Sequence, residues 1–311
     1  MLARARDPGA AGAAGEPRPL TEPTAALVEL TTRVVGSRPE RWRRVAGGQT
    51  HAETWSCATH EGSRFVKAAF EDSALRALRA ETDIFRQVSG SFMPAFHGWA
   101  IEDGVGVLLI EDLSEHVWPP PYPQDPTPLF DALAAVARFD PPPGLPRLGR
   151  VGERESWRRV SEDPTPLASL TGWTPEWLAE VAPALSAAEE RCVVQGDRLV
   201  HNDVWSGNVC FDDGRAVLVD WAVAAIGNPD LDVAYALVSV RAEGGVTPEL
   251  DVPQLPELMS LIAGHHAAVL SAPVPTWVHE TEMLLEGHLT DLRVALPWAV
   301  ELLGLPTPEP G

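Results

Sequence analysis

Apolar positions recur along this chain in two rhythms, and the switch between them outlines its organisation. From residue 24 to residue 35, Leu27, Leu30, Val34 and Val35 share one helical face, which predicts a short helix. Strand-like runs follow at 41–46, 54–59 and 64–69, separated by Gly47-Gly48-Gln49-Thr50-His51 and by Glu61-Gly62-Ser63. This pattern predicts a three-stranded antiparallel meander. Ser73 is placed to cap a helix running to about Val88, with Leu75, Leu78, Ile84, Phe85 and Val88 at helical spacing. Two more strands are expected at 95–101 and 105–111, joined by a tight turn at Glu102-Asp103-Gly104.

The prolines between Val117 and Pro128 remove backbone donors and mark a boundary. Beyond it the pattern is mainly helical, with helices predicted at about 127–139, 175–191, 230–241, 254–271 and 276–303. A small β element interrupts them: Leu199-Val200, then Val209-Cys210-Phe211, then 216–219, with Asp212-Asp213-Gly214 as a hairpin turn. The reading is an α+β chain, with a small lobe at 23–113 built on antiparallel strands and a larger, mainly helical lobe at 114–304. The Gly- and Pro-rich residues 1–22 are expected to form a disordered tail, and 305–311 a flexible one.

Composition adds exclusions. A formal charge of -20 disfavours nucleic acid and anionic membrane as partners and mildly favours cationic small molecules. The three cysteines, Cys57, Cys192 and Cys210, have neither a disulfide framework nor a zinc spacing, which suits a reducing cytoplasm. No apolar stretch is long enough to span a bilayer, and the start of the chain lacks the apolar core of a signal peptide.

The densest chemical signal is His201-Asn202-Asp203-Val204-Trp205-Ser206-Gly207-Asn208, followed by a hairpin that ends at Asp220-Trp221. Phosphoryl transfer needs a carboxylate that orients a hydroxyl nucleophile, plus oxygen ligands for the Mg2+ that bridges the phosphates of ATP. Asp203 is the candidate catalytic carboxylate, and Asn208 and Asp220 are the candidate metal ligands. Lys67 is the second signal: it is the only lysine, whereas the other 23 of the 24 basic residues are arginine. A compact ammonium on a strand suits contact with nucleotide phosphates, and Glu81, mid-helix, is its expected partner. Gly47 and Gly48 lie where phosphates could meet backbone N–H groups, although they do not form G-x-G-x-x-G.

Together these residues resemble the aminoglycoside phosphotransferase and choline kinase family, a branch of the protein-kinase-like fold, over roughly residues 40–300. The resemblance implies a two-lobed fold with a nucleotide cleft. It makes residues 109–113 the hinge at the adenine, through Glu111 and Leu113, and gives Asp232 a structural role. From the bare sequence, Asp230 and Asp232 are simply favourable charges at a helix N-terminus. The resemblance further implies transfer of the γ-phosphoryl group of ATP to a hydroxyl of a small molecule.

The chain also departs from relatives of that fold. Asn202 stands where protein kinases carry Arg, and only residues 221–228 separate Asp220 from Pro229, which leaves no room for a phosphorylated activation segment. The chain ends in Pro306-Thr307-Pro308-Glu309-Pro310-Gly311, unlike aminoglycoside kinases whose terminal carboxylate helps hold substrate. Choline, homoserine or a sugar therefore stand as alternative acceptors, and a catalytically silent nucleotide-binding protein as the rival class. His265, His266 and His288 read as packed or surface histidines, and Glu282, Glu286 and Asp291 as a solvated helix face.

Overall fold

The computed structural model describes residues 22–45, 52–116, 118, 125–149, 156–272 and 281–308, with backbone alone at 281–284. The expected amino-terminal tail, the glycine loop with Gly47 and Gly48, and most of the proline-rich boundary lie outside the described residues. The chain packs as two units: one holds the residues up to Gly90 with Pro94–Glu115 and Asp220–Val223; the other holds Ser91–Met93, His116–Val219 and the chain from Ala224 onward.

In the first unit, α1 (Ala25–Val35) starts where the Thr24 hydroxyl accepts the Leu27 N–H at 3.2 Å and stops at Gly36, whose φ of 76° only glycine adopts at little cost. Strands β1 (Glu40–Arg44), β2 (Glu53–Thr59), β3 (Gly62–Ala69), β4 (Phe96–Glu102) and β5 (Val105–Glu111) form one antiparallel sheet in the order β1-β2-β3-β5-β4. The meander is thus extended by a hairpin that inserts β5 next to β3. Trp55, Cys57, Val66, Ala68, Val107 and Leu109 are fully buried beneath α1, and each larger apolar side chain among them contributes about 1.5–3 kcal/mol. Helix α2 (Asp72–Phe85) presses on β5 at Gly106, where a Cβ would meet Leu75 at 2.7 Å and Leu78 at 2.9 Å. Ser73 does not cap this helix: the N-cap is Glu71, which makes no side-chain capping bond, so Asp72 and Ser73 already lie inside the first turn.

The second unit is mainly helical: α3 (Thr127–Arg138), α4 (Ser156–Glu162), α5 (Thr165–Thr171), α6 (Pro175–Arg191), α7 (Asp230–Ala242), α8 (Leu255–Ser271) and α9 (Thr281–Leu302). Its core joins α4 and α6 to α8 and α9 through side chains such as Trp157, Leu178, Leu185, Ile262 and Leu296, all without exposure. The Trp157 indole donates to Ser260 O at 2.8 Å, and Ser260 Oγ donates to Leu185 O at 2.8 Å, so these two polar side chains of the core are paired. Two small ladders complete the unit: β6 (Arg198–Val200) with β9 (Ala225–Gly227), and β7 (Val209–Asp212) with β8 (Arg215–Leu218). Helices α4 and α5 and strand β9 are absent from the sequence expectation because each has seven residues or fewer, too few for a period to stand out.

Candidate active site

Two clusters, one in each unit, hold the polar residues central to the sequence reading: Lys67, Glu81 and Asp220 in the first, Asp203 and Asn208 in the second. In the first unit, alternation along β3 buries Val66 and Ala68 in the core and sends Lys67 to the other face. Its Nζ donates to both oxygens of Glu81, at 2.8 and 2.9 Å, and to Asp220 Oδ1 at 3.1 Å. Glu81 stands mid-helix on the buried face of α2 and is only 2% exposed. Burial pulls the Lys67 pKa down, but the Asp220 and Glu81 carboxylates outweigh it and hold the ammonium above its ordinary value. Burial drives the Glu81 pKa up; Lys67 opposes this, Asp220 adds to it, and the Trp221 backbone N–H donates to the carboxylate, with a net rise. One ammonium thus faces two carboxylates, a surplus of negative charge in a largely buried setting. Asp220 sits in the left-handed region at φ 64°, a conformation that Asp tolerates better than most residues.

In the second unit, strand β6 ends at Val200 and the chain turns sharply into the loop that carries Asp203. Asn202 takes φ 65°, and this turn is held from outside the loop: Asp232 Oδ2 accepts the His201 N–H at 2.6 Å and Asp232 Oδ1 accepts the Asn202 N–H at 2.8 Å. Buried His201 fastens the other side, its Nε2 donating to Val219 O at 3.0 Å. Burial raises the Asp232 pKa to about 7; the two N–H donors oppose the rise and Asp203 adds to it. Further along, Asn208 Nδ2 donates to Asp203 Oδ2 at 2.8 Å and to Asp203 O at 3.0 Å, closing the loop on itself. Its amide nitrogen being committed there, Asn208 presents Oδ1 as its remaining acceptor, an oxygen ligand of the hardness Mg2+ prefers. A Cβ at Gly207 would stand 2.3 Å from the far edge of the exposed Trp205 ring, so a larger residue there would push that ring aside. The Val219 N–H donates to Asn208 O at 2.9 Å, which carries the β7–β8 pairing up to the residue before Asp220.

At the segment expected to be the hinge, the Glu111 N–H donates to Ala95 O at 2.8 Å and the Glu111 carboxylate accepts the Ala95 N–H at 3.1 Å, while Leu113 is buried. Asp232 is the residue whose work spacing alone does not reveal. By position it reads as a helix-end charge, a second acid in the first turn of α7 after Asp230, yet its side chain reaches back 30 residues to order the loop, which gives content to the structural role that the resemblance implied. His265, His266 and His288, left apart in the sequence reading, come together between α8 and α9. Burial lowers the pKa of His266 well below its ordinary value and that of His288 to about 4, so both rings are neutral at pH 7.

The architecture, an antiparallel five-stranded sheet with its helix in one unit and a helical body carrying the His201–Asn208 loop in the other, is the protein-kinase-like fold. Within that fold class the chain belongs to the phosphotransferase enzyme family, whose sequence model matches residues 41–268. Among solved structures it is similar to spectinomycin phosphotransferase APH(9)-Ia in complex with ADP and spectinomycin. The TM-score is 0.58 at 12% identity, covering 92% of this chain and 98% of the other. It is similar also to a thermostable mutant of aminoglycoside phosphotransferase APH(4)-Ia with AMP-PNP and hygromycin B. There the TM-score is 0.53 at 14% identity, covering 90% and 98%. Among the described residues no helix is long and apolar enough to cross a membrane, and all three cysteines are free and buried.

Proposed function

We propose that this protein transfers the γ-phosphoryl group of ATP to a hydroxyl of a small molecule. The observation that carries the reading is the loop closed by Asn208 on Asp203 and braced by Asp232, because it aims one carboxylate and one carboxamide oxygen from a rigid base. Asp203 orients the acceptor hydroxyl and takes its proton as the new O–P bond forms and the bond from the γ-phosphorus to the bridging oxygen breaks, releasing ADP. Lys67, held by Glu81, meets the nucleotide phosphates as a point charge. Gly47, Gly48, Glu111 and Leu113 belong to the nucleotide site in this reading.

The donor set suits Mg2+, since Asp220 supplies a carboxylate and Asn208 a carboxamide oxygen, and the surplus negative charge around Lys67 favours a cation. When bound, such an ion would neutralise charge on the phosphates, and Asp220 and Asn208 are the side chains proposed to hold it. A cationic acceptor fits the charge of -20, and the resemblance to proteins solved with hygromycin B or spectinomycin supports testing amino sugars first. A cytoplasmic location accords with the three free cysteines.

The test is a panel of aminoglycosides, amino alcohols, choline, homoserine and sugars incubated with Mg-ATP, followed by measurement of acceptor-dependent ADP and of the phosphorylated product. We expect turnover with at least one acceptor. Tight ATP binding with no ADP formed across the panel would instead favour a nucleotide-binding protein without catalysis.

A further inference from the structure

Where α8 packs against α9, one ligand nitrogen from each of His265, His266 and His288 lies within 4.8 Å of the others. His266 is buried, and its Nδ1 stands 2.8 Å from Nδ1 of His288. Its Nε2 is buried without a hydrogen bond and faces Asp291 Oδ2 at 3.8 Å. The His265 ring stands edge-on to both others, with centroids 5.3 Å from His266 and 5.8 Å from His288.

We propose that His265, His266 and His288 form a binding site for one borderline divalent transition-metal ion, represented by Zn2+, with Asp291 supporting it from behind His266. A simple histidine pair in a core accounts for less of this geometry. One shared proton satisfies the contact between the two Nδ1 atoms, yet it leaves His265 turned toward the pair and Nε2 of a buried ring unsatisfied. A metal in place of that proton takes the lone pairs of both Nδ1 atoms. Nε2 of His266 then carries the hydrogen and points it at Asp291, the arrangement in which a carboxylate fixes the orientation and basicity of a ligating imidazole.

Three imidazole nitrogens match Zn2+, Co2+, Ni2+ or Cu2+ in softness and leave a fourth position for water, whereas Mg2+ prefers oxygen. Tetrahedral zinc–nitrogen bonds place neighbouring donors about 3.3 Å apart, so the Nδ1 pair opens by roughly 0.5 Å and the third ring closes by at most about 1.5 Å, within reach of side-chain rotation. Two ligands lie on α8 and one on α9, so the ion would tie together two helices of the second unit's core. This site is separate from Asn208 and Asp220 and does not depend on the proposed reaction.

The experiment uses the full chain, stripped with chelator and titrated with ZnCl2 by calorimetry in excess MgCl2, and with CoCl2 by optical absorption. We expect one ion per chain and the ligand-field bands of a nitrogen-rich tetrahedral Co2+ site. His265→Ala and His288→Ala should each weaken binding by about 100-fold or more, Asp291→Asn by about 10-fold, and the surface control His60→Ala not at all. Zinc should raise the melting temperature of the parent chain but not that of the two histidine variants, which separates lost binding from lost folding. No stoichiometric uptake by the parent, or uptake unchanged in both histidine variants while they remain folded, overturns the site.

Discussion

Two carboxylates of this protein, Glu81 and Asp232, are 2% and 3% exposed, yet each unit stabilises its own in a different way. Glu81 answers to a cation: Lys67 spans from strand to helix and takes both of its oxygens. Asp232 answers to backbone: two consecutive N–H groups of a strained loop donate to it. The first arrangement concentrates charge, with one ammonium between two carboxylates. The second holds a shape, which suits aiming Asp203. A charge pair can be broken by removing one member, whereas a braced loop is broken by removing an acceptor.

The largest effect should come from Lys67→Met, which leaves Glu81 and Asp220 facing one another without a counter-ion. Urea unfolding should register a loss of about 3–5 kcal/mol, and replacing Glu81 as well with Leu should restore most of it without restoring nucleotide binding. A loss below about 1 kcal/mol would show that the ammonium is not what compensates these carboxylates.

Asp203→Ala probes the other cluster through its chemistry. Steady-state kinetics should show turnover lower by a factor on the order of 100 or more, with ATP affinity nearly unchanged. Unchanged turnover with the true acceptor would remove Asp203 from its role. Asp232→Asn keeps the shape of the brace but puts an N–H2 where an N–H donor needs an acceptor. We expect a loss of about 1–3 kcal/mol in stability, with turnover falling more than ATP affinity.

The smallest effect is on pH. Asp232 has a folded pKa of about 7 against an ordinary value of 3.8, so between these values the folded chain holds a proton that the unfolded chain has released. Its contribution to stability is therefore complete below 3.8 and is lost as pH rises toward about 7. Glu81, also raised, acts in the same direction. Denaturant melts from pH 4 to 7.5 should show stability falling with pH from these groups, with a shallower slope in Asp232→Asn; an equal slope in the variant would assign the dependence elsewhere.

Much of the fold was legible because its elements are long or strongly punctuated. Strand β5 runs from Val105 to Glu111 and α6 from Pro175 to Arg191, matching the periods read from the sequence. Capping was less legible. Ser73 is a good capping residue by type, but the chain enters α2 two residues earlier, where Leu75 and Leu78 must meet β5 at Gly106. Packing outranked local propensity there.

The sequence by itself determined the alternation that turns Lys67 away from Val66 and Ala68, the helical spacing that gives α2 its buried face, and the short His201–Asn208 span that forces a tight loop. These are local consequences of backbone geometry and so can be read from neighbours along the chain. Only the tertiary structure decided that Asp232 reaches back to His201 and Asn202, that Asp220 joins the expected Lys67–Glu81 pair, and that His266 and His288 stand 2.8 Å apart. Each of these joins residues from different elements, and such meetings are set by how helices and strands pack rather than by any period along the chain.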